Sequence, residues 1–93
     1  MVSGGYRNTA DGDYAVASGG EDNESSSFAS VASGGYANRA TASHASVSGG
    51  QDNEAAATCA SISGGLENQA TGDFASVSGG RANTASGTYE HLP

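Results

Sequence analysis

The chain has 93 residues, of which 15 are glycine, six are Phe or Tyr and none is Trp, and ten acids against three basic residues give a net charge of −7. That length allows one domain at most, and so little bulky apolar material excludes an ordinary two-layer core. The acidic balance excludes nucleic acid and anionic membranes as partners, and composition alone would read as disorder, so the case for a fold rests on periodicity.

Ser-Gly-Gly-x-x-Asn occurs six times, beginning at Ser3, Ser18, Ser33, Ser48, Ser63 and Ser78. The Asn follows at Asn8, Asn23, Asn38, Asn53, Asn68 and Asn83, and no insertion breaks the fifteen-residue count. A disordered linker has no reason to keep phase, whereas a unit stacking on copies of itself does. The predicted architecture is all-β, a single parallel β-solenoid domain over residues 1–93 with coils at 3–17, 18–32, 33–47, 48–62, 63–77 and 78–92.

In chain order, the sequence opens in register, with Val2 already at the apolar position before the first Ser-Gly-Gly. That position continues as Ala17, Ala32, Val47, Ile62, Val77 and Leu92. Coil one carries the full second half of the consensus in Thr9-Ala10-Asp11-Gly12. Coil two is irregular: Glu24-Ser25-Ser26-Ser27 replaces it, and Phe28 comes one residue early relative to Phe74. Since the next Ser-Gly-Gly is on time, a one-residue bulge at Val31-Ala32 is expected, able to turn Val31 inward. Coils three to five are regular. Coil six ends as Glu90-His91-Leu92-Pro93 abandons the pattern, with Pro93 unable to donate to a ladder.

Alternation with period two in Ala45-Ser46-Val47-Ser48-Gly49, and again in Asn68-Gln69-Ala70-Thr71-Gly72, predicts two short strands per coil with one buried face each. Corners fall at the glycines, which supply the positive φ of a tight turn. Six Gly-Gly pairs, at about 1 kcal/mol per Gly, exclude helix. Stacking turns the repeated Asn into a candidate structural ladder, Asn8 to Asn83, bonded to its own turn and to its neighbours above and below. The same residue also serves as a local turn former, and the two roles are compatible.

Outward positions are the candidate functional surface. One column reads Thr9, Glu24, Arg39, Glu54, Gln69, Thr84, with Arg39 between two carboxylates. The other face is rich in hydroxyls: Ser46, Ser48, Ser61, Ser63, Ser76 and Ser78, with Val16 and Val31 in coils one and two. This face is the expected interface between chains. Tyr6, Tyr36 and Leu66 form a rival apolar ridge at a corner.

No catalytic, cofactor-binding or metal-binding set is expected. His44 and His91 are three coils apart with no ligand spacing around them. Gly19 to Glu24 and Gly49 to Glu54 lack the second Gly-x-Asp element and the period of calcium-binding nonapeptides, and the period also differs from that of hexapeptide acyltransferases. The single Cys59 allows no intrachain disulfide and reads as a small filler at a turn. No apolar run is long enough for a signal peptide or a membrane span, so export signal and anchor are expected elsewhere in the parent protein.

The stretch Gln69-Ala70-Thr71-Gly72-Asp73-Phe74-Ala75-Ser76-Val77 resembles the head repeats of YadA-like trimeric autotransporter adhesins. Ser78 to Gly87 is similar to Ser-Gly-Gly-x-x-Asn-Thr-Ala-Ser-Gly arrays of bacterial surface and phage tail-fibre proteins. The resemblance covers nearly the whole chain and implies a left-handed β-roll, a homotrimer and display at a cell or virion surface. It also implies contact with a host surface, matrix protein or glycan, with no direct membrane contact by these coils. The chain departs from that family in its longer coil and in Ser46 and Ser48 flanking Val47, where large aliphatics are usual. It also resembles the grass-type ice-binding β-roll, whose flat hydroxyl face the Ser columns would imitate, although Thr is usual there.

Overall fold

A computed structural model describes Val2 and residues 4–92. Met1, Pro93 and Ser3, the first Ser of the first coil, lie outside the described residues. The fold is a β-solenoid built from twelve two-residue strands. Strands β1 (Thr9–Ala10), β3 (Glu24–Ser25), β5 (Arg39–Ala40), β7 (Glu54–Ala55), β9 (Gln69–Ala70) and β11 (Thr84–Ala85) form one six-stranded sheet in that order. The second sheet runs β2 (Val16–Ala17), β4 (Val31–Ala32), β6 (Ser46–Val47), β8 (Ser61–Ile62), β10 (Ser76–Val77) and β12 (His91–Leu92). Every pairing is parallel and joins residues fifteen apart, such as Arg39 with Glu54 and Ser61 with Ser76. A third column of bridges links Tyr6, Glu21, Tyr36, Gln51, Leu66 and Arg81 at a corner.

The particle is a slab with extents of 31 × 24 × 11 Å. Its thin dimension is that of two sheets face to face, and only small residues fit between them. Ala40, Ala55, Ala70 and Ala85 from one sheet share a core with Val47, Ile62 and Val77 from the other and with Ala45, Ala60 and Ala75 just ahead of its strands. Ala15, Ala17 and Ala32 are the buried apolar residues of the first two coils, so the larger aliphatics lie in the later part of the stack. All six Phe and Tyr side chains are on the surface.

Two expectations need correction. There is no bulge in coil two: Val31 pairs with both Val16 and Ser46, Ala32 with both Ala17 and Val47, and Val31 stays on the outer face. The irregular sequence is absorbed by substitution. Ser25 and Ser30 occupy inward places held by Ala in other coils and are fully buried, their hydroxyls 2.7 Å apart. The Ser25 hydroxyl also lies 2.6 Å from the Ser30 carbonyl, and the Ser30 hydroxyl lies 2.8 Å from the Ser27 carbonyl and accepts from the Ser27 amide at 3.2 Å.

The second correction concerns the corners. The second Gly of each Gly-Gly pair is left-handed, with φ from 82° at Gly5 to 95° at Gly65. Gly12 and Gly72, however, do not supply the positive φ of the other corner. That falls two residues later, on Tyr14, Ala29, His44, Cys59, Phe74 and Tyr89, at φ of 56–63°. Arg7, Asp22, Ala37, Asp52, Glu67 and Ala82 form a further left-handed column at φ of 56–58°. Such residues carry a conformational cost of roughly 1–2 kcal/mol each. The turned amide is what offsets it: His44 donates to the Phe28 carbonyl and Asp52 to that of Tyr36, both at 2.9 Å, so each corner stays bonded to the coil before it.

Candidate functional surface

The inward Asn column sets the spacing on which the outer surface is displayed. Asn53 Nδ2 donates to the Gly49 carbonyl in its own coil at 2.9 Å and to the Gly65 carbonyl in the next at 3.0 Å. Its Oδ1 accepts from the Asn68 backbone amide at 2.9 Å. Asn8, Asn23, Asn38 and Asn68 make the same three contacts, and Asn23 to Asn68 are fully buried. The ladder therefore runs from side chain to backbone and points one way along the chain. Asn83, in the last coil, donates from Nδ2 to the Gly79 carbonyl at 2.9 Å.

Outside this frame, side chains fall into straight files. In the second sheet Val16, Val31, Ser46, Ser61 and Ser76 form a half-buried file continued by His91, whose Nδ1 bonds the Ser76 hydroxyl. Beside it run Ser18, Ser33, Ser48, Ser63 and Ser78, all exposed. The structure thus brings the predicted interface residues onto one flat face, with the valines at one end and the serines over the rest.

The first sheet carries charge. Arg39 lies 3.2 Å from Glu24 and 3.8 Å from Glu54, one coil on either side, as its column predicted. Arg7 contacts Asp22 at 3.0 Å and Glu21 at 3.6 Å and lies over the Tyr6 ring, 4.8 Å from its centroid. All four contacts are solvent-exposed and contribute little apiece. Tyr6 and Tyr36 are exposed and Leu66 half-buried along the corner ridge.

The opposite corner holds a feature that the sequence reading passed over. Tyr14, Phe28 and His44 meet edge to face at 5.5 and 5.6 Å, and Phe74 and Tyr89 stack at 5.0 Å with their planes 8° apart. Cys59 stands between these groups and is exposed rather than packed as a filler. The available signal was that Tyr14, His44, Cys59, Phe74 and Tyr89 lie on one column at multiples of fifteen residues, which puts Phe74 and Tyr89 one rung apart, while Phe28 sits one place before that column.

Among the described residues no three His, Cys, Asp or Glu side chains gather to hold a metal ion, and His44 and His91 stand on different columns. No described helix is long and apolar enough to cross a membrane. What the arrangement offers chemically is repetition: hydroxyls, carboxylates and rings presented once per coil on flat faces and ridges. No protein-family model matches the chain, and no curated protein matches it.

Proposed function

We propose that this chain is a non-enzymatic structural and adhesive repeat module of a homotrimeric surface adhesin or fibre, displayed outside the cell or on a virion. The observation that carries the reading is the flat face of the second sheet, where Val16 and Val31 lie half-exposed in one file with Ser46, Ser61 and Ser76. A planar face of small side chains lets a second chain approach closely along the whole stack, and partly exposed valines gain from being covered. Interior burial within one chain is mostly of Ala, so association adds apolar burial that a single stack lacks. The charged first sheet and the two corner ridges stay outward in such a trimer, available to a host surface, matrix protein or glycan.

Sedimentation equilibrium tests the assembly: three times the chain mass is expected, and a folded monomer at micromolar concentration overturns it. Substituting Val31→Glu places a charge in the buried face and is expected to dissociate the trimer, while Thr84→Glu on the other sheet leaves it intact. Adhesion is read separately, by retention of the folded particle on host cells or immobilised matrix components.

The files of exposed Ser48, Ser63 and Ser78 beside Ser46, Ser61 and Ser76 favour a second reading, an ice-binding surface. Thermal hysteresis that disappears in Ser61→Tyr would establish it. The break in the rank at Val16, Val31 and His91 makes no activity the expected result.

A further inference from the structure

The thirteenth residue of each coil is Ala15, Ser30, Ala45, Ala60 or Ala75, buried in every case, until the sixth coil places Glu90 there. Between coils, the amide of the ninth residue donates to the carbonyl of the eighth in the following coil: Ala56 to Ala70 and Thr71 to Ala85, both at 2.9 Å. Its counterpart in the sixth coil, Ser86, donates instead to Glu90 Oε1 at 2.9 Å, and the next amide, Gly87, donates to the same oxygen at 3.0 Å. The carboxylate occupies the place a seventh coil's carbonyl would take.

Apart from Val2, whose bridge to Ala17 fills the place that Leu92 of a copy below would take, the two end coils are complementary. Leu66 and Gln69 donate forward to the carbonyls of Gly80 and Asn83, and their counterparts Arg81 and Thr84 point the same way from the sixth coil. The first coil carries the matching acceptors, the carbonyls of Gly5, Asn8 and Ala10. A second copy set on the sixth coil in register, its Val2 swung off Ala17 to make room for Leu92 of the copy below, would meet donors with acceptors, and Asn83 Nδ2 would find Gly5 as Asn68 Nδ2 finds Gly80 at 3.0 Å. Glu90 stands in the way, because its carboxylate would face the carbonyl of the incoming Ala10 with the donors already taken.

We infer that Glu90 caps the sixth coil and keeps a second copy of this chain from docking head to tail on that edge. The inference concerns the ends of the stack and holds whether one chain or three stand side by side, so masses are counted in multiples of the wild-type particle.

The test uses the full chain with Glu90→Ala, the residue usual at that place. The variant is expected to form a ladder of concentration-dependent multiples in sedimentation velocity. Wild type, with an open first coil and a capped last one, should shorten those assemblies by terminating them. A variant that stays at wild-type mass at every concentration overturns the inference, as do assemblies whose size ignores added wild type. Amide exchange gives a second measurement even if the variant folds poorly. In dilute wild-type protein the Ser86 and Gly87 amides should exchange about tenfold or more slowly than in an unfolded chain, as befits bonds to a carboxylate, and unprotected amides there would refute the cap.

Discussion

The backbone amide of Asn53 donates to Oδ1 of Asn38 at 3.0 Å, while the side chain of Asn53 makes its contacts within its own coil and with the next. This one-way ladder sets an order of mutational cost. Asn53→Ala leaves the buried Asn68 amide and the Gly49 carbonyl without the side chain that bonds them, while the Gly65 carbonyl keeps the Gln51 amide, and should cost about 3 kcal/mol. Asn8→Ala removes the same three contacts from a half-exposed coil, where water replaces part of them, and should cost less. Asn83→Ala removes its bond to Gly79 and should cost least, about 1 kcal/mol. Urea denaturation of the three variants checks the order, and equal effects would mean that each Asn acts only in its own turn.

The paired glycines are not equivalent. A Cβ on Gly35, where φ is 84°, would lie 2.1 Å from the Gly50 carbonyl oxygen, whereas one on Gly34 would meet nothing within 4 Å. Gly35→Ala should therefore cost about 3 kcal/mol or more and Gly34→Ala within about 0.5 kcal/mol. Thermal melts of the two variants, differing only in which neighbour carries the methyl, make the comparison.

Cys59 is left-handed, at φ 58°, exposed, and has no ring to stack. Asn tolerates that conformation better than Cys, so Cys59→Asn should stabilise the fold by about 0.5 kcal/mol. Phe74→Asn, at φ 62° in the next rung, gives up the stack with Tyr89 and should show a smaller gain or a loss. Melting temperatures that fail to separate the two would argue against ring stacking as the reason aromatics occupy this corner.

The buried Ser25 and Ser30 hydroxyls contact each other and the backbone of Ser27 and Ser30. Ser25→Ala alone removes one hydroxyl and should cost about 1 kcal/mol, while the double change to Ala restores the pattern of the other coils and should be near neutral. A double-mutant cycle measures the coupling, and additive costs would mean that the serines act independently.

Much of this fold was legible because one count governs it. The unbroken spacing of Asn8 to Asn83 fixed which residues share a column, and the alternation around Val47 and Val77 fixed which of them face inward. The bulge expected in coil two came from treating Phe28 as the counterpart of Phe74. The left-handed backbone instead follows the count and falls on Ala29. A side chain that points to solvent at a corner carries no register information, so its identity misleads. Glu90 and the Ser25–Ser30 pair were visible as departures from the repeat, but their roles depend on where an oxygen lies relative to particular amides, which spacing does not specify. On the outer face the Ser columns lie where alternation put them, and Val31 stays outward with Val16 because the bulge that could have turned it inward is absent.

Every junction between coils has the same geometry: Val47 leads into Ser48 as Ile62 leads into Ser63, and their strands pair in register. Removal of residues 48–62 would join Val47 to Ser63 and leave all later columns aligned, whereas loss of part of a coil would rotate them out of file. The particle thus behaves as a ruler graduated in whole coils. Duplication or loss of one coil in the gene changes its reach by about 4.8 Å and leaves both faces chemically as they were, so length can vary between descendants of this chain without any new surface having to be selected.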